Sequence, residues 1–156
     1  MFTLTLPSNQ KIQVDGKTVL RIRETTYNDG PTPAKTLLDW NLRSLVMEDS
    51  ASVAGSVKLE QPRLAQLHLP GGKPVWFNGE KASGPIFVPS TNLGDGCNSG
   101  FEMGNVRILV RESPEDVAKV IKEAGGEVLP LPKGTLLETL TGTVEEWLSS
   151  SDEVWR

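Results

Sequence analysis

Few residues of this chain have side chains that readily catalyse reactions or bind metals. The sequence has one histidine, His68, and one cysteine, Cys97. A metal site needs further histidine, cysteine or clustered carboxylate ligands at suitable spacing, and none accompanies His68. No Ser-His-Asp or Cys-His arrangement stands out either. We expect His68 on the surface of a strand and Cys97 to be incidental. A single cysteine excludes an intramolecular disulfide and favours a reducing compartment.

The most unusual segment is rich in glycine and asparagine. Residues 92–100 read NLGDGCNSG, within a predicted long loop over residues 89–105. Glycine permits positive φ angles and close backbone approach, so such a loop can bind an anion or a calcium ion. The patterns of a calcium loop and of a phosphate-binding loop are both absent. We expect a flexible insertion or a loop that contacts a partner protein through Asp95; an ion as its ligand stays open.

Three carboxylates, Asp39, Glu48 and Asp49, are close enough in sequence to suggest an acidic cluster. Glu48 matches Glu112 in the internal repeat described below, which favours a structural role before a helix over catalysis. The sequence thus predicts no catalytic residue, no cofactor and no metal, and we expect that the protein is not an enzyme.

Composition and charge restrict the class of protein. Of 156 residues, 37% are hydrophobic and 23% charged, as in globular proteins. The formal net charge is −4 and no basic face is evident, so direct nucleic-acid binding is not expected. No apolar run approaches the ~20 residues that a membrane helix needs, and the N-terminus lacks the features of a signal peptide. We expect a location in the cytoplasm or in a virion.

Two pairs of segments match without gaps at nearly one offset, which indicates internal duplication. Residues 4–16 match residues 67–79 at an offset of 63, with two Leu, a Pro and a Gly identical. Residues 41–58 match residues 105–122 at an offset of 64, with 8 of 18 positions identical. We expect both copies to have the same fold.

Each copy is predicted to begin with two short strands and to end with a strand followed by a short helix. In the second copy Ser113 is a suitable N-cap, and Gly125 and Gly126 stop the helix. The fold class is therefore mainly β with short helices (α+β): a duplicated antiparallel unit followed by an amphipathic helix at residues 135–149. The predicted domains are residues 1–62, residues 63–132, and an acidic tail at residues 133–156.

The second copy resembles the small flagellar FlbD-type proteins and similar short β proteins. The resemblance lies in the opening LHLPGGKPVWFN of residues 67–78 and in VRESPEDV at residues 110–117. It covers most of residues 64–123 and, more faintly, residues 2–58. It implies a small β unit with no active site and no cofactor.

These observations favour a non-enzymatic structural or assembly protein. Trp76 and Phe77 are neighbours on a predicted strand, so one ring faces the core and the other is exposed. We expect Trp76, Asp95, Trp147 and Trp155 to contact other protein subunits, with a further copy of this chain as one option. No small-molecule substrate and no membrane partner is indicated.

The leading hypothesis is an accessory component of a tailed-bacteriophage virion, by analogy with the small proteins of such particles. The alternative is a bacterial cytoplasmic regulator or flagellum-associated protein. A small-ligand binder or enzyme that uses the loop at residues 89–105 is the third option.

Overall fold

The computed structural model describes residues 1–86 and 96–130, which form short β-strands and two α-helices. The mainly β, α+β class is therefore confirmed. The predicted helix at residues 135–149 lies outside the described residues.

The elements of the first half are β1 (Phe2–Thr5), β2 (Lys11–Val14), β3 (Arg21–Glu24), β4 (Thr36–Asp39), β5 (Arg43–Val46) and α1 (Ser50–Glu60). Those of the second half are β6 (Leu64–His68), β7 (Pro74–Asn78), β8 (Ala82–Ile86), β9 (Ser99–Met103), β10 (Val106–Val110), α2 (Pro114–Glu123) and β11 (Glu127–Val128).

Both halves have the same order of elements: five strands, then a helix. A short 3₁₀ turn follows the second strand in each half, at Gly16–Thr18 and at Gly79–Lys81. Leu4 and Leu67 lie on the first strand of their halves, and Leu45 and Leu109 on the fifth. We propose from this match that the halves arose by duplication of one unit.

Single hydrogen bonds between edge strands join the three sheets into one row of strands. Just beyond β5, the Met47 N–H donates to the Thr5 carbonyl at the end of β1 (2.8 Å). Just beyond β10, the Arg111 N–H donates to the His68 carbonyl at the end of β6 (2.7 Å). With the ladders within each sheet, the described strands follow the order β2-β1-β5-β4-β3-β7-β6-β10-β9-β8-β11, which we call the strand belt. The halves join where β3 pairs with β7.

Each half has its own hydrophobic core, and β7 contributes to both. Val75 and Phe77 face the second core, where the rings of Phe77 and Phe101 lie 4.2 Å apart between centroids. Trp76, between them in sequence, packs against the first core with Val53 of α1. This alternation is the period of two expected of a strand that is covered on both faces. The halves therefore share one five-stranded sheet.

The prediction of one long loop over residues 89–105 was wrong for its second part. Residues Ser99–Met103 form β9, antiparallel to both β8 and β10. Phe101 and Met103 alternate into the core, whereas Gly100 suggested a loop. A Cβ on Gly100 would lie 2.8 Å from the Ile108 carbonyl oxygen. Glycine is required there by the close approach of β10 and not by a turn.

Candidate protein interface

Trp76 lies where the two halves meet. On β7 it is opposite Ile22 of β3 on one side and Gln66 of β6 on the other. Its ring is half-buried, whereas the next residue, Phe77, is fully buried. The two rings face opposite sides of β7, but Trp76 is half-buried against the first core and not exposed as predicted.

Two adjoining clefts beside helix α1 meet at Trp76. One has a volume of about 440 Å³ and extends toward Lys35 and the start of α1. The other has a volume of about 260 Å³ and extends along α1 toward Lys58. Both are lined by Trp76 and Ala51, so we treat them as one Trp76 groove. Its walls and floor include Lys35, Ala51, Gly55, Lys58, Gln66 and Trp76.

The wall of the groove along α1 is low because its residues are small. Gly55 is exposed, and a Cβ built on it would meet no atom within 4 Å. Packing among the described residues therefore does not require glycine, although glycine weakens a helix by about 1 kcal/mol relative to alanine. The matching residue of α2 is Lys119. Open space beside a costly glycine is typical of a place where another chain approaches the backbone closely.

The rim of the groove carries charges of both signs around an apolar floor. Lys35 and Lys58 contribute the positive charges, and Glu24 and Asp49 the negative ones. Hydrogen bonds from Ser52 lower the pKa of Asp49, which caps the N-terminus of α1. An aromatic floor with a mixed polar rim is the anatomy of a protein–protein interface.

The three carboxylates considered as an acidic cluster each have a different partner. Asp39 binds Arg21 and Arg43. Glu48 accepts hydrogen bonds from Thr5, and Asp49 caps α1. His68 lies on β6, as predicted, and its Nδ1 is 2.7 Å from Glu112. Across the described ranges, no group of three or more His, Cys, Asp or Glu side chains is placed to hold a metal ion.

Cys97 is buried beside β9. Burial raises the pKa of its thiol, and the Sγ lies 3.9 Å from the Ser99 carbonyl oxygen. A buried thiol with a raised pKa is a poor nucleophile. The structure thus gives Cys97 a packing role.

The other predicted interface residues, Asp95, Trp147 and Trp155, lie outside the described residues. Sequence reasoning missed the groove residue Ala51. It noticed Gly55 only as a weakness of the helix pattern. The available signal was a glycine in the middle of α1 with no turn to explain it.

Comparison with protein-family models, curated proteins and solved structures found no match. None of the helices in the described part of the chain has the length and apolar character to span a membrane.

Proposed function

We propose that this chain is a non-enzymatic structural or assembly protein that binds another protein subunit in the Trp76 groove. The observation that supports this most is a half-buried tryptophan on the floor of an open groove beside a helix glycine with free space around it. Tryptophan is enriched at the centres of protein interfaces, where its large ring contributes most to binding.

The groove suits an extended segment or a helix from the partner. Ala51 and Gly55 are one helical turn apart and leave room for close backbone approach, as small residues do at helix contacts. Leu59, one turn further along α1, is 86% exposed and extends the apolar surface. An apolar side chain over Trp76, with polar groups facing Lys35 and Lys58, would complete the contact.

The setting that we propose is the virion of a tailed bacteriophage, on the analogy given above. A bacterial regulator or a flagellum-associated protein is the second candidate. The repeated order of elements supports a building role in either setting, because a duplicated unit presents similar surfaces twice. The mass of the native complex separates a large particle from a small regulator.

Gly55 offers a sharp test, because its variants should not impair folding. Gly55→Gln places a long neutral side chain in the groove, and Gly55→Ala is the matched control. Both should raise the melting temperature, since glycine is the poorest helix former except proline. The alanine variant should co-sediment with its particle from native lysate, and the glutamine variant should be released from it. Retention of both variants at the wild-type level would contradict binding in the groove.

A further inference from the structure

The two ends of the strand belt differ. At one end, β11 occupies the outer edge of β8, and the Leu129 N–H donates to the Gly84 carbonyl at 2.7 Å. On its other side, the ladder between β8 and β9 is irregular between Ser83 and Ile86. The outer edge of β8 is therefore occupied and does not accept a strand of a second copy.

At the other end, β2 pairs with β1 and with no further strand of the described part of the chain. Along an antiparallel pair of strands, hydrogen-bonded and non-hydrogen-bonded residue pairs alternate. The Leu6 N–H donates to the Gln10 carbonyl, so Leu4–Ile12 and Phe2–Val14 are also hydrogen-bonded pairs, whereas Thr3–Gln13 is not. The N–H and C=O groups of Gln13 therefore point away from β1, along the open edge.

The chain already uses the matching edge in its second half. Trp76 of β7 stands 63 residues after Gln13, and β7 pairs with β3 along this edge. The Asn78 N–H donates to the Leu20 carbonyl at 2.9 Å, so by the same alternation Ile22–Trp76 is a hydrogen-bonded pair. The backbone N–H and C=O of Trp76 therefore point toward β3. The edge of β2 thus has the geometry of one that accepts an antiparallel strand.

We propose that the occupant is a second copy of this chain, and that the two β2 strands pair antiparallel about a twofold axis at Gln13. In this register Lys11 lies opposite Asp15 of the second copy, and the symmetry repeats the pair. Opposite charges across a ladder stabilise the pairing. Lys11 donates one hydrogen bond, to Thr5 Oγ1 at 2.7 Å, and an ammonium group has three donors. Asp15 accepts from the Lys17 N–H through Oδ1.

Pairing about a twofold axis uses the same β2 edge of both copies, so it closes as a dimer. The open edge of β2 contributes no residue to the Trp76 groove. A purified chain can dimerise through β2 whether or not a partner binds in the groove.

Sedimentation equilibrium of the purified full-length chain tests the proposal. The wild type should be a dimer at micromolar concentration. Gln13→Pro removes the edge N–H and leaves the hydrogen bonds to β1 in place, so its dissociation constant should rise at least about tenfold. Gln13→Ala keeps the N–H and should dimerise like the wild type. Circular dichroism checks that both variants are folded.

A charge exchange tests the register without altering the backbone edge. Lys11→Glu gives each copy acidic residues at positions 11 and 15, and Asp15→Lys gives each copy basic residues at both positions. Each variant alone should dimerise more weakly than the wild type, by about tenfold, and an equimolar mixture should recover the dimer. Recovery in the mixture supports the antiparallel register, and its absence overturns that register.

A wild-type chain that stays monomeric overturns the proposal. Two further results do so as well: a Gln13→Pro variant that dimerises normally, and slow hydrogen exchange of the Gln13 amide in a monomer. The last result would show that another segment of the same chain covers the edge.

Discussion

The carboxylate of Glu112 accepts a hydrogen bond from the backbone N–H of His68 at 2.9 Å and lies 2.7 Å from the His68 Nδ1. The first half repeats this arrangement with other residues. Glu48 accepts from the Thr5 N–H at 3.0 Å and from the Thr5 Oγ1 at 2.9 Å. Burial acts to raise the pKa of Glu48, but the bonds from Thr5 outweigh it and the pKa is lowered. Each glutamate thus links the end of the fifth strand of its half to the end of the first strand.

Removing either glutamate should destabilise the chain. Glu112→Ala leaves the partly buried N–H of His68 without its acceptor, and Glu48→Ala does the same to Thr5. Each should lower the free energy of unfolding by about 1–3 kcal/mol, the cost of an unsatisfied group. Urea unfolding measures this, with Glu123→Ala at an exposed position of α2 as the control. Equal stability of all three variants would show that the hydrogen bonds to Glu48 and Glu112 do not stabilise the fold.

Asp29 should contribute to the loss of stability in acid. Arg23 donates to both carboxylate oxygens, at 2.9 and 3.1 Å, and these bonds lower the pKa of Asp29 from 3.8 to about 2. A lowered pKa in the folded state gives stability that is present above pH 3.8 and is lost as the pH falls toward 2.

Asp29→Asn should therefore be less stable than the wild type at neutral pH, by about 1 kcal/mol after allowance for solvent screening. The difference should shrink as the pH falls from 3.8 and through 2, the pKa of Asp29 in the folded state. Urea unfolding at a series of pH values is the measurement. A constant difference across the series would contradict this role of the pair with Arg23.

Gly79 should behave in the opposite way to Gly55 when it is replaced by alanine. A Cβ on Gly79 would overlap the Cβ of Ala124, at the end of α2. Gly79→Ala should cost about 1–3 kcal/mol through overpacking, whereas Gly55→Ala should stabilise. Ala124→Gly should recover part of the loss in the double variant. Thermal unfolding of the three variants checks this, and a Gly79→Ala variant as stable as the wild type would contradict the contact.

The sequence predicted those parts of the fold that depend on local pattern. The Ser113 cap of α2 is formed, since its side chain accepts from the Asp116 N–H. The turn at Gly125 also has the positive φ that favours glycine, +86°. Strand β9 was missed because Gly100 reads as a loop residue, and only the neighbouring backbone of β10 shows why glycine is needed.

The candidate interface could not be predicted from the sequence, because it is formed by the pairing of strands that are far apart in the chain. Alternation alone predicted an exposed Trp76, and the structure has it half-buried. Its place beside α1 follows from the pairing of β7 with β3, residues that are about 50 positions apart in the chain. The groove and its glycine wall appear only when the two halves are joined in this way.

The mass of the complex that contains the unmodified chain in native lysate tests the proposed function most directly. Velocity sedimentation followed by detection of the chain gives this value. We predict a particle far larger than a dimer of this 17.0 kDa protein, with the chain at fixed stoichiometry to its neighbours. A chain that sediments entirely as monomer or dimer would contradict a role in building a larger assembly.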